Sequence, residues 1–189
     1  MGMGKKMRWI AAGWAAAAIA VAASGALRNV RMPMPQVMAG ALTLALVAAF
    51  TASRGVRDWA LDLDLRGLTL FHCWRIVPGI AFLVLYSRGD LPWAFAVPGG
   101  WGDIVVAVTA PLASALAPRH RRVVLGWHLL AAADLVNVLA TAARIGMADQ
   151  AAFEALRHLP FSLLPIFLVP LTLQAHFIAV AQLMRRRRA

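Results

Sequence analysis

Three charged residues stand inside stretches that are otherwise apolar: Arg75, Asp103 and Asp134. A charge held at membrane depth is costly, so such residues are usually paired or functional. Carboxylates on different segments are the groups from which a site for a proton, a cation or a small polar ligand is built. Asn137 follows Asp134 by one helical turn, which puts the amide about 60° round on the same face. Two further residues offer a different chemistry. His128 and His176 fall on separate apolar segments, and two facing histidines in a helical bundle can ligate a b-type haem through both axial positions. Packed or hydrogen-bonded histidine is the alternative for each. His72 adjoins Cys73, but neighbours on a helix point about 100° apart, which makes a poor metal pair. No HExxH, phosphate-cradling loop or nucleophile turn occurs, so nothing marks an enzyme.

These groups need elements to hold them, and composition names the solvent. The chain has 189 residues, 61% apolar and 14% charged, with a mean hydropathy of +0.71. An ordinary soluble domain is roughly 45–50% apolar and about 25% charged. A soluble globular domain and a disordered chain are both excluded, and the bilayer is the expected surrounding. The single cysteine, Cys73, rules out an internal disulfide and any multi-thiolate metal site.

A crossing needs about 20 mostly apolar residues at a rise of about 1.5 Å each. Six segments meet or approach this, at residues 9–27, 34–53, 70–86, 103–117, 122–143 and 159–184. The expectation is an all-α, six-helix transmembrane bundle forming one integral membrane domain. Lys5, Lys6 and Arg8 before an alanine-rich run also fit a secretory signal, but the run is long for a signal core and a retained helix is expected.

Basic residues set the orientation, since cytoplasmic loops retain Lys and Arg. With the N-terminus inside, thirteen of the nineteen cations fall on the cytoplasmic side and five on the other, with Arg75 left inside a helix. Both termini are therefore expected in the cytoplasm. The net charge of +11, which ends in arginines at 185–188, is then an anchor to anionic lipid rather than a nucleic-acid surface. The expected partners are the bilayer and its anionic lipids, with no nucleic acid. Gly13 and the alanines at 15–18 allow close helix contact, within the bundle or in a homo-oligomer. Residues 54–67 alternate apolar and acidic positions and read as a surface-lying segment or a solvated loop.

Depth separates the three buried charges. Arg75, roughly 7 Å into its helix, either snorkels to the headgroups or forms a buried ion pair. Asp103 follows Gly99, Gly100 and Gly102 and reads as the start of the fourth helix, as an N-cap or as a site residue. From Asp103 to residue 117 there is only about 22 Å of helix, so the fourth span is expected to be short. The proline- and glycine-punctuated stretch before it is then partly re-entrant on the outer side. Asp134 lies about 18 Å into the fifth helix, beyond the reach of a short side chain to either surface. Pro160, Pro165 and Pro170 punctuate the sixth helix; they free the carbonyls of Phe161 and Ile166 for a ligand at the same level. His128 and His176 lie about 9 and 12 Å from the cytoplasmic face.

Phe71 to Arg75, Leu91-Pro92, Phe95-Ala96, Gly102-Asp103, Asp134, Pro165, Phe167, Val169-Pro170 and His176 together resemble a family of small bacterial multi-pass inner-membrane proteins without a known activity. The likeness covers roughly residues 70 to 183. It implies a bacterial inner membrane and a common pattern of Arg75, Asp103, Asp134 and His176, and no reaction. The chain departs from the pattern at His128, where similar proteins carry Asn. Three functions follow as expectations. In the first, Asp134, Asn137, Asp103, Arg75 and His176 bind or move a proton, cation or small polar ligand, as in transport or sensing, without a cofactor. The second is a redox protein with haem on His128 and His176, and the third a non-catalytic membrane subunit or scaffold.

Overall fold

The computed structural model describes residues 2–185; the arginines at 186–188 lie outside the described residues. Among the described residues the chain forms eight α-helices: α1 Met3–Ala23, α2 Met34–Ala52, α3 Arg54–Leu61, α4 Leu65–Leu70, α5 Ile76–Ser87, α6 Trp93–Leu116, α7 Arg121–Ala148 and α8 Val169–Met184. A 3-10 segment, Phe71–Arg75, joins α4 to α5 without a break, and another, Gln150–Arg157, follows α7. A π-turn, Leu164–Leu168, leads into α8.

Five stretches are long and apolar enough to cross a membrane: Met34–Ala52, Leu65–Ser87, Trp93–Leu116, Arg121–Ala148 and Leu164–Met184. Leu44, Val77, Leu112 and Leu130 stand exposed on their outer faces, where lipid rather than water suits them. The first helix is not among the five, because Lys5, Lys6 and Arg8 occupy its opening turns.

The short fourth span is corrected. Helix α6 starts ten residues before Asp103, with Pro92 as its N-cap, and has 24 residues, which removes the shortfall in length. Pro98 lacks an N–H and so costs one helical bond, yet the helix passes through it. The glycines beyond it serve packing. A Cβ on Gly100 would lie 2.9 Å from the Gly79 carbonyl, and one on Gly79 would lie 2.8 Å from the Gly100 carbonyl. The two backbones touch there, as small residues allow between apolar helices. Helix α5 packs on α6, α6 on α7, α7 on α8, and α8 on α2.

The sixth segment is corrected as well. Pro160 lies in a turn, where the Leu164 N–H donates to Phe161 O at 2.9 Å. Pro170 leaves Ile166 O free, and the Trp14 indole N–H of α1 donates to it at 3.1 Å. Both carbonyls expected at a ligand site are thus satisfied by the chain itself. The alternating segment at 54–67 resolves into α3 and α4, capped by Ser53 and Asp64 side chains. Trp59, Leu61 and Leu63 pack against Phe50, Ala60 and Ile178.

Candidate functional site

Side chains at i and i+3 eclipse one another in a 3-10 helix. That geometry places His72 and Arg75 of the 3-10 segment on one inward face, and both are fully buried. Thr69, three residues earlier at the end of α4, is buried with them.

Arg75 is the centre of an ionic triad. Its Nε donates to Asp103 Oδ1 of α6 at 2.5 Å, and its second terminal nitrogen, Nη2, donates to Asp134 Oδ2 of α7 at 2.6 Å. The remaining terminal nitrogen, Nη1, donates to the Ala131 carbonyl at 3.1 Å. The guanidinium does not snorkel; it ties three segments together with its planar fork of donors. The Gly79–Gly100 contact brings α5 and α6 close enough for the first bond. Gly102 makes room for the second, because a Cβ there would collide with the Asp134 carboxylate. Asp103 is an interior residue of α6, not an N-cap. Asp134 keeps 28% of its side chain exposed, against 5% for Asp103. Asn137 is exposed and makes no side-chain hydrogen bond among the described residues, so it stands apart from this group.

The histidines form a second cluster. His128 Nδ1 and His176 Nδ1 are 2.9 Å apart, and the His72 ring stacks on His176 with centroids 3.7 Å apart. His128 Nε2 lies 3.2 Å from Thr69 Oγ1. Haem ligation by His128 and His176 needs iron and a macrocycle between nitrogens about 4 Å apart, each about 2 Å from the metal. Here the two nitrogens share a hydrogen bond and the third ring covers one of them, so this arrangement does not fit the group. His72 is the residue that helical periodicity missed. The signal that finds it is Thr69, His72 and Arg75 at intervals of three.

Beside the triad lies a cavity of about 110 Å³, walled chiefly by apolar side chains from Leu27 to Thr172. Arg75 and Asp103 border it, whereas Asp134, Asn137 and the three histidines do not. Besides Arg157 Nε, which faces Glu154 Oε2 at 3.5 Å, three residues of its wall carry a buried polar atom without a partner among the described residues: Gln36 Oε1, Trp74 Nε1 and Ser162 Oγ. Native proteins leave few such atoms unpaired, and each one calls for an explanation. The Gln150–Arg157 segment contributes Phe153, Leu156 and Arg157 to the wall. Gln150 fixes that segment by accepting from Met32 N at 2.8 Å and donating to Met32 O at 3.2 Å.

Fold and site define a helical protein with five helices suited to a membrane, a buried arginine shared by two aspartates and an apolar cavity beside it. The chain belongs to the family described as Domain of unknown function (DUF8737), which matches residues 32–184. No curated protein and no solved structure matches it.

Proposed function

We propose that this is a multi-pass protein of the bacterial inner membrane that binds a small molecule inside the bilayer. The molecule has an apolar body, and its polar end donates a hydrogen bond or carries a positive charge. The observation that carries this reading is the cavity, apolar over most of its wall yet bordered by Asp103 and Arg75 and by three residues with unpartnered polar atoms. Pockets that orient a ligand combine an apolar lining with a few converging polar groups. Two carboxylates against one guanidinium leave a formal negative charge when both are ionised, which a proton or the cationic end of the ligand balances. Asp103, rather than Asp134, is the acidic group that meets the ligand, and Asn137 is not in the wall.

The membrane assignment itself is supported by the five long apolar helices with apolar outer faces. Cytoplasmic termini and a sixth crossing by α1 are the arrangement that the distribution of Lys and Arg favours. In that orientation the cavity lies toward the outer side, beneath the Gln150–Met32 clamp.

The test is native mass spectrometry of the full chain released from lipid nanodiscs, followed by solvent extraction of what it carries. A molecule of defined mass is expected with the wild type. Ala142→Trp, which fills the cavity from α7, should lose it while the helical content stays unchanged. A folded wild-type protein that carries nothing, and whose melting is unmoved by amphiphilic amines and alcohols, overturns the reading.

A further inference from the structure

Hydrogen-bond bookkeeping around His72, His128 and His176 leaves lone pairs with nothing to accept from. The Thr69 hydroxyl donates to Leu65 O at 2.8 Å, so its oxygen accepts from His128 Nε2–H at 3.2 Å. That fixes the tautomer of His128, with its Nδ1 lone pair turned toward His176. His176 then donates from Nδ1 at 2.9 Å, and its Nε2 is left as a bare acceptor. His176 Nε2 and both ring nitrogens of His72 have no partner among the described residues, although all three rings are buried to 1% exposure or less. A protein interior rarely abandons so many imidazole nitrogens together.

We propose that these three histidines bind one transition-metal cation of the kind that prefers imidazole, copper or zinc. One ligand atom from each residue lies within 4.8 Å of the others. A tetrahedral metal at about 2.0–2.1 Å from each nitrogen needs them about 3.4 Å apart with their lone pairs converging, so the His72 ring turns out of its stack on His176 to complete the site. Binding replaces the His128–His176 hydrogen bond with two metal bonds, the Nδ1 proton of His176 moving to its Nε2, and gives His72 its first partner. Imidazole nitrogen suits copper and zinc, as it does iron and nickel, and oxygen-preferring calcium and magnesium find no oxygen donors among these three side chains.

One neighbouring feature fits a cation. Thr69 does for His128 what outer-shell groups do in metal sites, holding the non-ligating N–H and so the ring's orientation. Arg75, one 3-10 turn away, has its own charge met by two carboxylates. Three protein ligands leave one coordination position open, as in metal sites that take up a water or exchange their cargo. The Trp127 ring closes the cluster on the side of α7, 5.7 Å from His72 and 4.9 Å from His128. Because none of the three histidines lines the cavity, this site and the cavity can fail separately.

The experiment uses the untagged full chain in detergent, stripped with a chelator. It is then exposed to zinc alone, or to copper alone under ascorbate, and desalted. One metal equivalent per chain is expected from at least one of the two ions. X-ray absorption should show three imidazole nitrogens at about 2.0 Å. His72→Ala and His176→Ala should each weaken binding about tenfold or more, and Thr69→Val by about 10–100-fold through loss of the outer-shell bond. A folded wild-type chain that retains neither metal overturns the proposal. So does a bound metal whose absorption shows oxygen or sulfur ligands in place of imidazole, a readout that does not depend on any variant folding. Retention unchanged by the His72→Ala, His176→Ala double variant would assign the metal elsewhere.

Discussion

Arg75 and His72 sit three residues apart on the same 3-10 segment, equally buried, and they differ in one respect. Every donor direction of the Arg75 side chain that meets the protein finds an acceptor: Asp103, Ala131 and Asp134. His72 has stacked and edge-on ring contacts but no hydrogen bond among the described residues. A buried polar group whose partners are all in place fixes the packing of its segments. One left without partners calls for an explanation, which the proposed metal would supply. Burial alone does not distinguish the two roles, whereas satisfaction of hydrogen bonds does.

The contrast can be broken most sharply at Arg75. Arg75→Leu leaves two carboxylates facing each other in an apolar interior, and the expected loss is about 3–5 kcal/mol, read as a large fall in melting temperature and yield in detergent. His72→Leu, at the same burial, should leave melting of the metal-free protein near that of the wild type, because no hydrogen bond is lost; an equal collapse in both would erase the distinction. Next comes Gly100→Ala. The added Cβ meets the Gly79 carbonyl and Leu83, which forces α5 from α6 and stretches the Arg75–Asp103 bond, for about 1–3 kcal/mol of destabilisation. Trp14→Phe keeps the ring against Phe167 and removes only the bond to Ile166 O, a smaller loss of about 0.5–1.5 kcal/mol measurable by thermal melting. Asn137→Ala sets the floor. Exposed and outside both clusters, it should change melting by no more than about 0.5 kcal/mol and leave ligand and metal retention intact.

Hydropathy made the long helices legible, because about 20 apolar residues can satisfy their backbone in lipid only as a helix. The out-of-place charges Arg75, Asp103 and Asp134 were legible for the same reason, and the structure brings them together. The start of α6 was not. Gly99, Gly100 and Gly102 are residues that loops use, and only the partner helices reveal that here they admit the Gly79 backbone and the Asp134 carboxylate. Asn137 shows the converse. Sharing a helical face with Asp134 says which way a side chain points, not how far the neighbouring helix extends to cover it. His72 escaped because an interval of three leaves residues about 60° apart in an α-helix and eclipses them only in a 3-10 turn, and nothing in the residues from Phe71 to Arg75 announces the tighter winding.

The proline at 170 deprives α8 of a donor, and the indole of Trp14 takes up the vacancy. Helix α1 lies before the region matched by the family and touches little besides α3 and the π-turn. One of its two moorings lies where Trp14 meets Ile166 and Phe167, a few residues from Pro165 and Val169 in the wall of the cavity. Through Trp14 the N-terminal helix thus reaches the same short stretch of chain that supplies Pro165 and Val169 to the cavity wall.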